Sequence, residues 1–320
     1  MNEFLERERN ESLPFFMSKK RYTTFTDELR IRFGCRVQRV SLDAGFSCPN
    51  RDGSVGTGGC SFCNERGAAA VGVPVELPVD EQLLRSKEYL RRKFRAEKFL
   101  GYFQAYSNTY ATVDHLKLLY ESALADHELV GLIIGTRPDC LPESVLDLLS
   151  ELNQTTYLWL ELGMQTMHER TLQRINRGHD HACLVDAVAQ CQERGLRVCL
   201  HLILGLPGET RDEMLASVRE VNRLGVEGIK LHHLHVLQGS RLEEEYHLGS
   251  LRLLERDEYV GLVCDAIELL DPAIRIHRLM GDGRSELVAP DWSRRKLEVL
   301  NRIDAELLKR DSRQGSRLSE

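Results

Sequence analysis

VQRVSLDAGFSCPNRDGSVGTGGCSFCNERG, residues 37–67, begins as a β-rich run and breaks after Leu42 into a long irregular stretch carrying Cys48, Cys60 and Cys63. Three thiolates from one segment can hold three irons of a [4Fe–4S] cubane and leave the fourth without a protein ligand, whereas an all-cysteine electron carrier supplies four. Gly53, Gly56, Gly58, Gly59 and Gly67 let the backbone wrap closely round a bulky inorganic core. A zinc site is the competing reading, because Cys-x2-Cys is a common half of a tetrahedral knuckle and Cys35 can in principle complete it. No histidine precedes His115, so histidine cannot complete such a site locally.

Outward from this stretch, β-rich runs alternate with amphipathic helical ones, the pattern of βα units and a parallel sheet. Strands are expected at VQRVSL (37–42), FLGYFQAY (99–106), LVGLIIGT (129–136), TYLWLELGM (156–164), RVCLHLIL (197–204) and GIKLHHLHV (228–236). Helices between them have clear starts and stops: one opens near Asp180 and ends before Gly195, and TRDEMLASVREVNRLG ends at Gly225. Six such units are too few to close an eight-stranded barrel. The expected fold class is therefore α/β, an open partial (βα)6 barrel over residues 19–250, with its active site at the C-terminal ends of the strands. The cysteines fall at that end, since Cys48 follows the first strand and residues 43–79 read as a functional loop. Residues 1–18 read as a polar N-terminal extension. Residues 251–310 read as a small C-terminal α/β cap containing DEYVGLVCDAIELL, IRIHRLM and RRKLEVLNRIDAELLKR, and 311–320 as a flexible tail.

With 320 residues and 42% hydrophobic content, the chain can bury a large core. No apolar run is long enough to span a bilayer, and MNEFLERERNESLPFF is too charged for a signal peptide, so no membrane association and a cytoplasmic location are expected. Nine cysteines, an odd number, fit a reducing compartment; Cys183, Cys191, Cys199 and Cys264 sit at apolar positions and read as core. The net charge of −6 argues against a protein devoted to nucleic acid. Residues 85–98 (RSKEYLRRKFRAEK) and Arg294, Arg295 and Lys296 are nonetheless basic, either as a solvated helix face or as an RNA-facing patch.

Several motifs in fixed order carry a resemblance. They are CPNRDG…GGCSFC, YFQAYSNTY (102–110), GTRPDCLP (135–142), ELGMQTMHERTLQRINRGHD (161–180), HLILGLPGET (201–210) and APDW (289–292). Together they resemble the radical SAM superfamily, in the branch of the Elongator catalytic subunit and coproporphyrinogen oxidase, and most of all its YhcC-like group. The resemblance implies an enzyme that uses a [4Fe–4S] cluster to cleave S-adenosylmethionine reductively and abstract hydrogen from an organic substrate. A reductant such as flavodoxin or ferredoxin is implied as partner, and tRNA is a candidate partner through the Elongator likeness. A tRNA-modifying enzyme and a non-catalytic zinc-stabilised adaptor are the alternative functions.

The resemblance also implies site residues. Cys48, Cys60 and Cys63 would ligate the metal. Gln104, Ala105, Tyr106, Ser107 and Asn108 occupy the turn that receives the methionine amino group in relatives, although its paired glycines are missing here. Arg137 matches a family position and would bind a carboxylate or phosphate, or fasten an Arg-Pro-Asp turn, while Gly135 replaces a glutamate of Elongator-like relatives. Gln165 is the leading polar contact to the cofactor. Glu161 shares its strand face, either contacting the cofactor or neutralised by Arg174 or Arg177. Leu204, Gly205 and Leu206 would approach the adenine, or simply begin the next helix. Cys140 reads as a quiet thiol, His179 as subordinate to a cap by Asp180, and His232, His233 and His235 as structural histidines, with at most one face of their strand turned inward. No catalytic side chain is assigned.

Overall fold

Runs of four to nine residues, mostly apolar, become the strands of one sheet. The computed structural model describes residues 20–65, 67, 76–282 and 285–319, so the N-terminal extension expected over 1–18 lies outside the described residues. The strands are β1 (Val37–Leu42), β2 (Lys98–Phe103), β3 (Leu129–Thr136), β4 (Tyr157–Gln165), β5 (Arg197–Leu204), β6 (Gly228–His233), β7 (Val236–Leu237), β8 (Arg275–Arg278) and β9 (Leu287–Ala289). Seven form a single sheet in the order β1-β2-β3-β4-β5-β6-β8, every neighbouring pair parallel. This is the expected open half-barrel with one strand more. The extra strand, β8, comes from the segment expected to belong to a separate cap, and β7 and β9 form a small antiparallel pair beside the sheet.

The helices that follow the strands bury their apolar stripes on the outer face of the sheet, where the main core lies. Local chemistry sets their ends. Asp180 caps the helix His181–Glu193 by accepting from Cys183 N, and Thr210 and Glu213 form a reciprocal capping box at the start of Arg211–Leu224. That helix stops at Gly225, whose φ of 65° suits a residue without Cβ. The C-terminal helix Lys296–Lys309 packs on Arg256–Leu269.

On the inner face, the lower end of the half-barrel holds a second apolar cluster with Phe25, Leu100, Ile133, Tyr157, Trp159 and Cys199. The helix Phe25–Phe33 lies between the two edge strands, touching β1 and β8, and Thr24 pairs with Ile276 of β8. The Phe25 ring stacks on His277 at 3.9 Å between centroids. Cys35 packs against this lower cluster, whereas Cys48 follows the far end of β1, about 20 Å away at the usual rise of six strand residues. Cys35 therefore cannot complete a site with the three loop cysteines.

Residues 311–319 are not the free tail expected. Gln314 accepts from Thr23 N at 2.8 Å and donates to the carbonyls of Asp271 and Ile274 at 2.7 and 2.8 Å, while Arg317 N bonds Glu268 O. No helix among the described residues is long and apolar enough to cross a membrane.

Candidate active site at the mouth of the half-barrel

Cys48, Cys60 and Cys63 line one cavity of about 770 Å³, enclosed by the C-terminal halves of the strands and the loop after β1. Tight turns bring the thiols there: Arg51 N bonds Cys48 O at 2.8 Å, and Cys63 N bonds Cys60 O at 2.9 Å. The loop is sewn to the segment after β4 by Ser61 N to Ile175 O, 2.9 Å, and by Asn176 Nδ2 to Gly59 O, 2.8 Å. Two glycines are required by contact as well as by φ. A Cβ on Gly59 (φ 75°) would fall 2.8 Å from the Arg51 guanidinium, and one on Gly67 (φ 58°) would fall 2.9 Å from the Tyr106 ring.

Positive charge faces the thiols. Arg177 donates to Cys60 Sγ at 3.6 Å and to Gly163 O at 2.7 Å, and Asn50 Nδ2 lies 3.7 Å from the same sulfur. The hydrogen bond from Cys63 and then Arg177 and Arg137, acting against burial, hold the Cys60 thiol well below the usual cysteine range; the same bond and burial push Cys63 up.

The strand alternation places Glu161, Gly163 and Gln165 together on the cavity wall. Gln165 has φ 66°, an uncommon conformation for a residue with a side chain, and its buried Oε1 has no hydrogen-bond partner. Within the 104–108 turn, Gln104, Tyr106 and Ser107 line the cavity, and Tyr106 also has a positive φ of 58°. Ala105 and Asn108 are buried elsewhere; Asn108 spends its backbone N–H and Nδ2 on Gly135 O, at 3.1 and 2.7 Å.

Other expected contacts are not brought in. Leu204 lies in the main core, Leu206 in a separate cluster, and Gly205 against Leu254, so none of the three lines the cavity. Arg137 borders it, but its guanidinium is bidentate to Asp139 at 2.8 and 2.6 Å and donates to Arg177 O at 2.9 Å. It fastens two loops and has little left for a ligand anion. Burial pushes the Cys140 thiol up to about 12, in keeping with a quiet residue. His232 lines the cavity, whereas His233 stacks on Trp292 at 4.3 Å and bonds Ser293.

Glu161 is neutralised neither by Arg174, which pairs with Glu245, nor by Arg177. Its carboxylate meets Lys230 Nζ at 2.6 Å, the Tyr102 hydroxyl at 2.5 Å and His277 Nδ1 at 3.5 Å. Against the upward push of burial, Lys230 and then His277 keep it well below the carboxylate range, and burial lowers Lys230 to about 8. This polar layer lies above the Trp159 cluster, His277 and Trp159 being 4.6 Å apart between centroids. Sequence reading missed Tyr102, Lys230 and His277. The alternation of Lys230 with His232 along β6 and of Tyr102 with Gln104 along β2 was the available signal.

The parallel half-barrel with a cysteine-bearing loop at its C-terminal rim is the architecture of a known class, and the sequence comparisons agree. Residues 52–221 match the model of the radical SAM superfamily, and residues 226–309 that of the radical SAM C-terminal domain. The chain belongs to the radical SAM superfamily. It is 46% identical over 308 residues to the uncharacterized protein YtqA of Bacillus subtilis (strain 168), covering 96% of each chain, and 41% identical over 288 residues to protein YhcC of Escherichia coli (strain K12), covering 89% of this chain and 92% of that one. Among solved structures, the fold resembles the archaeal Methanocaldococcus infernus Elp3 with an N-terminal deletion, with TM-score 0.65 and 17% identity over 87% of this chain and 64% of that one.

The protein is a radical SAM enzyme, and its cofactors are S-adenosylmethionine and a [4Fe–4S] cluster. The cavity fits them. It offers three thiols beside a guanidinium and the unpartnered Gln165 amide oxygen.

Proposed function

We propose that Cys48, Cys60 and Cys63 ligate the cluster, and that the enzyme abstracts hydrogen from an organic substrate held in the same cavity. The cofactors supply reductive cleavage of S-adenosylmethionine to a 5′-deoxyadenosyl radical. The chain's own residues hold, orient and shield. Arg177 balances negative charge beside Cys60, and Gln165, Gln104, Tyr106 and Ser107 present polar groups to the bound nucleotide. The Phe25–Trp159 cluster excludes water from below. The observation that carries this reading is the convergence of the three cysteines on one cavity. A small electron carrier such as flavodoxin or ferredoxin would deliver the electron.

The test is anaerobic reconstitution followed by dithionite and S-adenosylmethionine. The wild-type protein should release 5′-deoxyadenosine, and Cys48→Ala, Cys60→Ala or Cys63→Ala should each abolish release and the cluster's visible absorbance. Bound zinc without acid-labile sulfide would overturn the reading in favour of a zinc adaptor. The tRNA reading would rest on a reduced basic surface, since within residues 85–98 Lys93, Arg95 and Lys98 are exposed without a carboxylate partner among the described residues. Within residues 85–98, Lys87 pairs with Asp126 and Glu128, Arg91 with Glu128, Arg85 with Glu81 and Arg92 with Glu88.

A further inference from the structure

The cavity extends well beyond the cysteines to the two edge strands of the open sheet, and its charges do not balance there. Glu161 and Asp282 are the carboxylates among its described lining residues, and each already has a lysine: Lys230 at 2.6 Å and Lys296 at 2.6 Å. Arg137 is taken by Asp139, Arg177 by Gly163 O and Cys60, and Arg51 by Asn64 O. Two guanidinium groups remain. Among the described residues, Arg39 of β1 has no hydrogen-bond or ion-pair partner. Arg278 of β8 meets only His201 Nε2, at 3.4 Å, and its Nε is buried without a partner.

His201 does nothing to offset that charge, because burial and then Arg278 and Lys230 keep its ring neutral. Arg278 also sits directly across from Lys230 in the sheet register, so the wall it belongs to is cationic. A guanidinium beside a low-dielectric wall gains from an anion that can take two parallel N–H bonds. Two such groups on one cavity concentrate anions there.

We propose that Arg39 and Arg278 bind the anionic group of the substrate, a carboxylate or a phosphate, and so hold its reacting carbon toward the cysteine end of the cavity. This rests on the function proposed above and narrows it to organic anions.

The test uses the reconstituted full-length protein with inorganic phosphate and succinate as probes, titrated at constant ionic strength against chloride. Phosphate is followed by 31P line broadening and succinate by saturation-transfer NMR. At least one anion should bind saturably, phosphate the tighter if the substrate is a phosphate ester and succinate if it is a carboxylate. Arg39→Gln and Arg278→Gln should each weaken that binding by about tenfold or more, and Arg278→Lys, which keeps the charge, should retain part of it. Binding no stronger than chloride in the wild type, or unaltered in both glutamine variants, overturns the proposal. Release of 5′-deoxyadenosine is scored separately on the wild type: its absence beside intact anion binding would sink the cofactor reading and not the anion site.

Discussion

Glu161 and Lys230 are each 4% exposed at the side chain and hold one another 2.6 Å apart on the cavity wall. Removing one partner strands a buried charge, which costs about 3–5 kcal/mol, whereas replacing both by uncharged groups of similar volume is often close to neutral. Glu161→Gln and Lys230→Met should therefore each lower stability markedly in urea unfolding, and the double variant should lose less than the sum of the two. Strict additivity would show that the pair is not coupled. That Glu161, Gly163 and Gln165 share one face was legible from strand alternation alone. The neutralising partner was not, because Lys230 lies 69 residues away on another strand, while Arg174 and Arg177 stood close in sequence and were already engaged with Glu245 and Cys60. Cysteine spacing, glycines and motif order are local signals and could be read directly; which polar groups meet across the barrel depends on register between strands.

The helix Val79–Phe94 shows how an element's charge pattern changes meaning once packed. Lys87 is buried on its inner face and bonds Asp126 and Glu128 at the turn before β3, and Arg91 reaches Glu128 as well. The hydrogen bonds from Lys87 and Arg91 lower Glu128 from 4.5 to about 2. A carboxylate depressed in the folded state adds stability above its ordinary pKa, and that contribution is lost as pH falls through the folded value. Wild-type stability should thus decline between pH 4.5 and about 2 more steeply than that of Glu128→Gln, read as urea midpoints across that range. Parallel slopes would remove the helix anchor from the account. β8 escaped assignment to the sheet for an element-scale reason. It is only four residues long, and β7 and the helix Arg241–His247 separate it from β6, so the βα rhythm is interrupted just before its last beat.

At the scale of the whole molecule, Gln314 fastens the two ends of the described chain. Its side chain serves the backbone of Thr23, Asp271 and Ile274 in one buried position. Gln314→Ala should cost about 1–3 kcal/mol and increase protease cleavage near residues 20–24; unaltered stability and cleavage would show the fastening to be incidental. The tail expectation failed because a polar segment without periodicity gives no sign of what its side chains will reach.

The bond from Thr23 to Gln314 joins residues 291 positions apart. At about 5–20 residues per second on the ribosome, the first of these partners waits on the order of tens of seconds for the second. During that interval the helix Phe25–Phe33 has neither β8 nor the Gln314 clasp to hold it, and its Phe25 ring has no His277 to stack upon. The emerging polypeptide therefore offers this helix β1 and, once β4 is made, the Trp159 edge to pack on, and it gains its second edge strand and its clasp when translation has nearly finished.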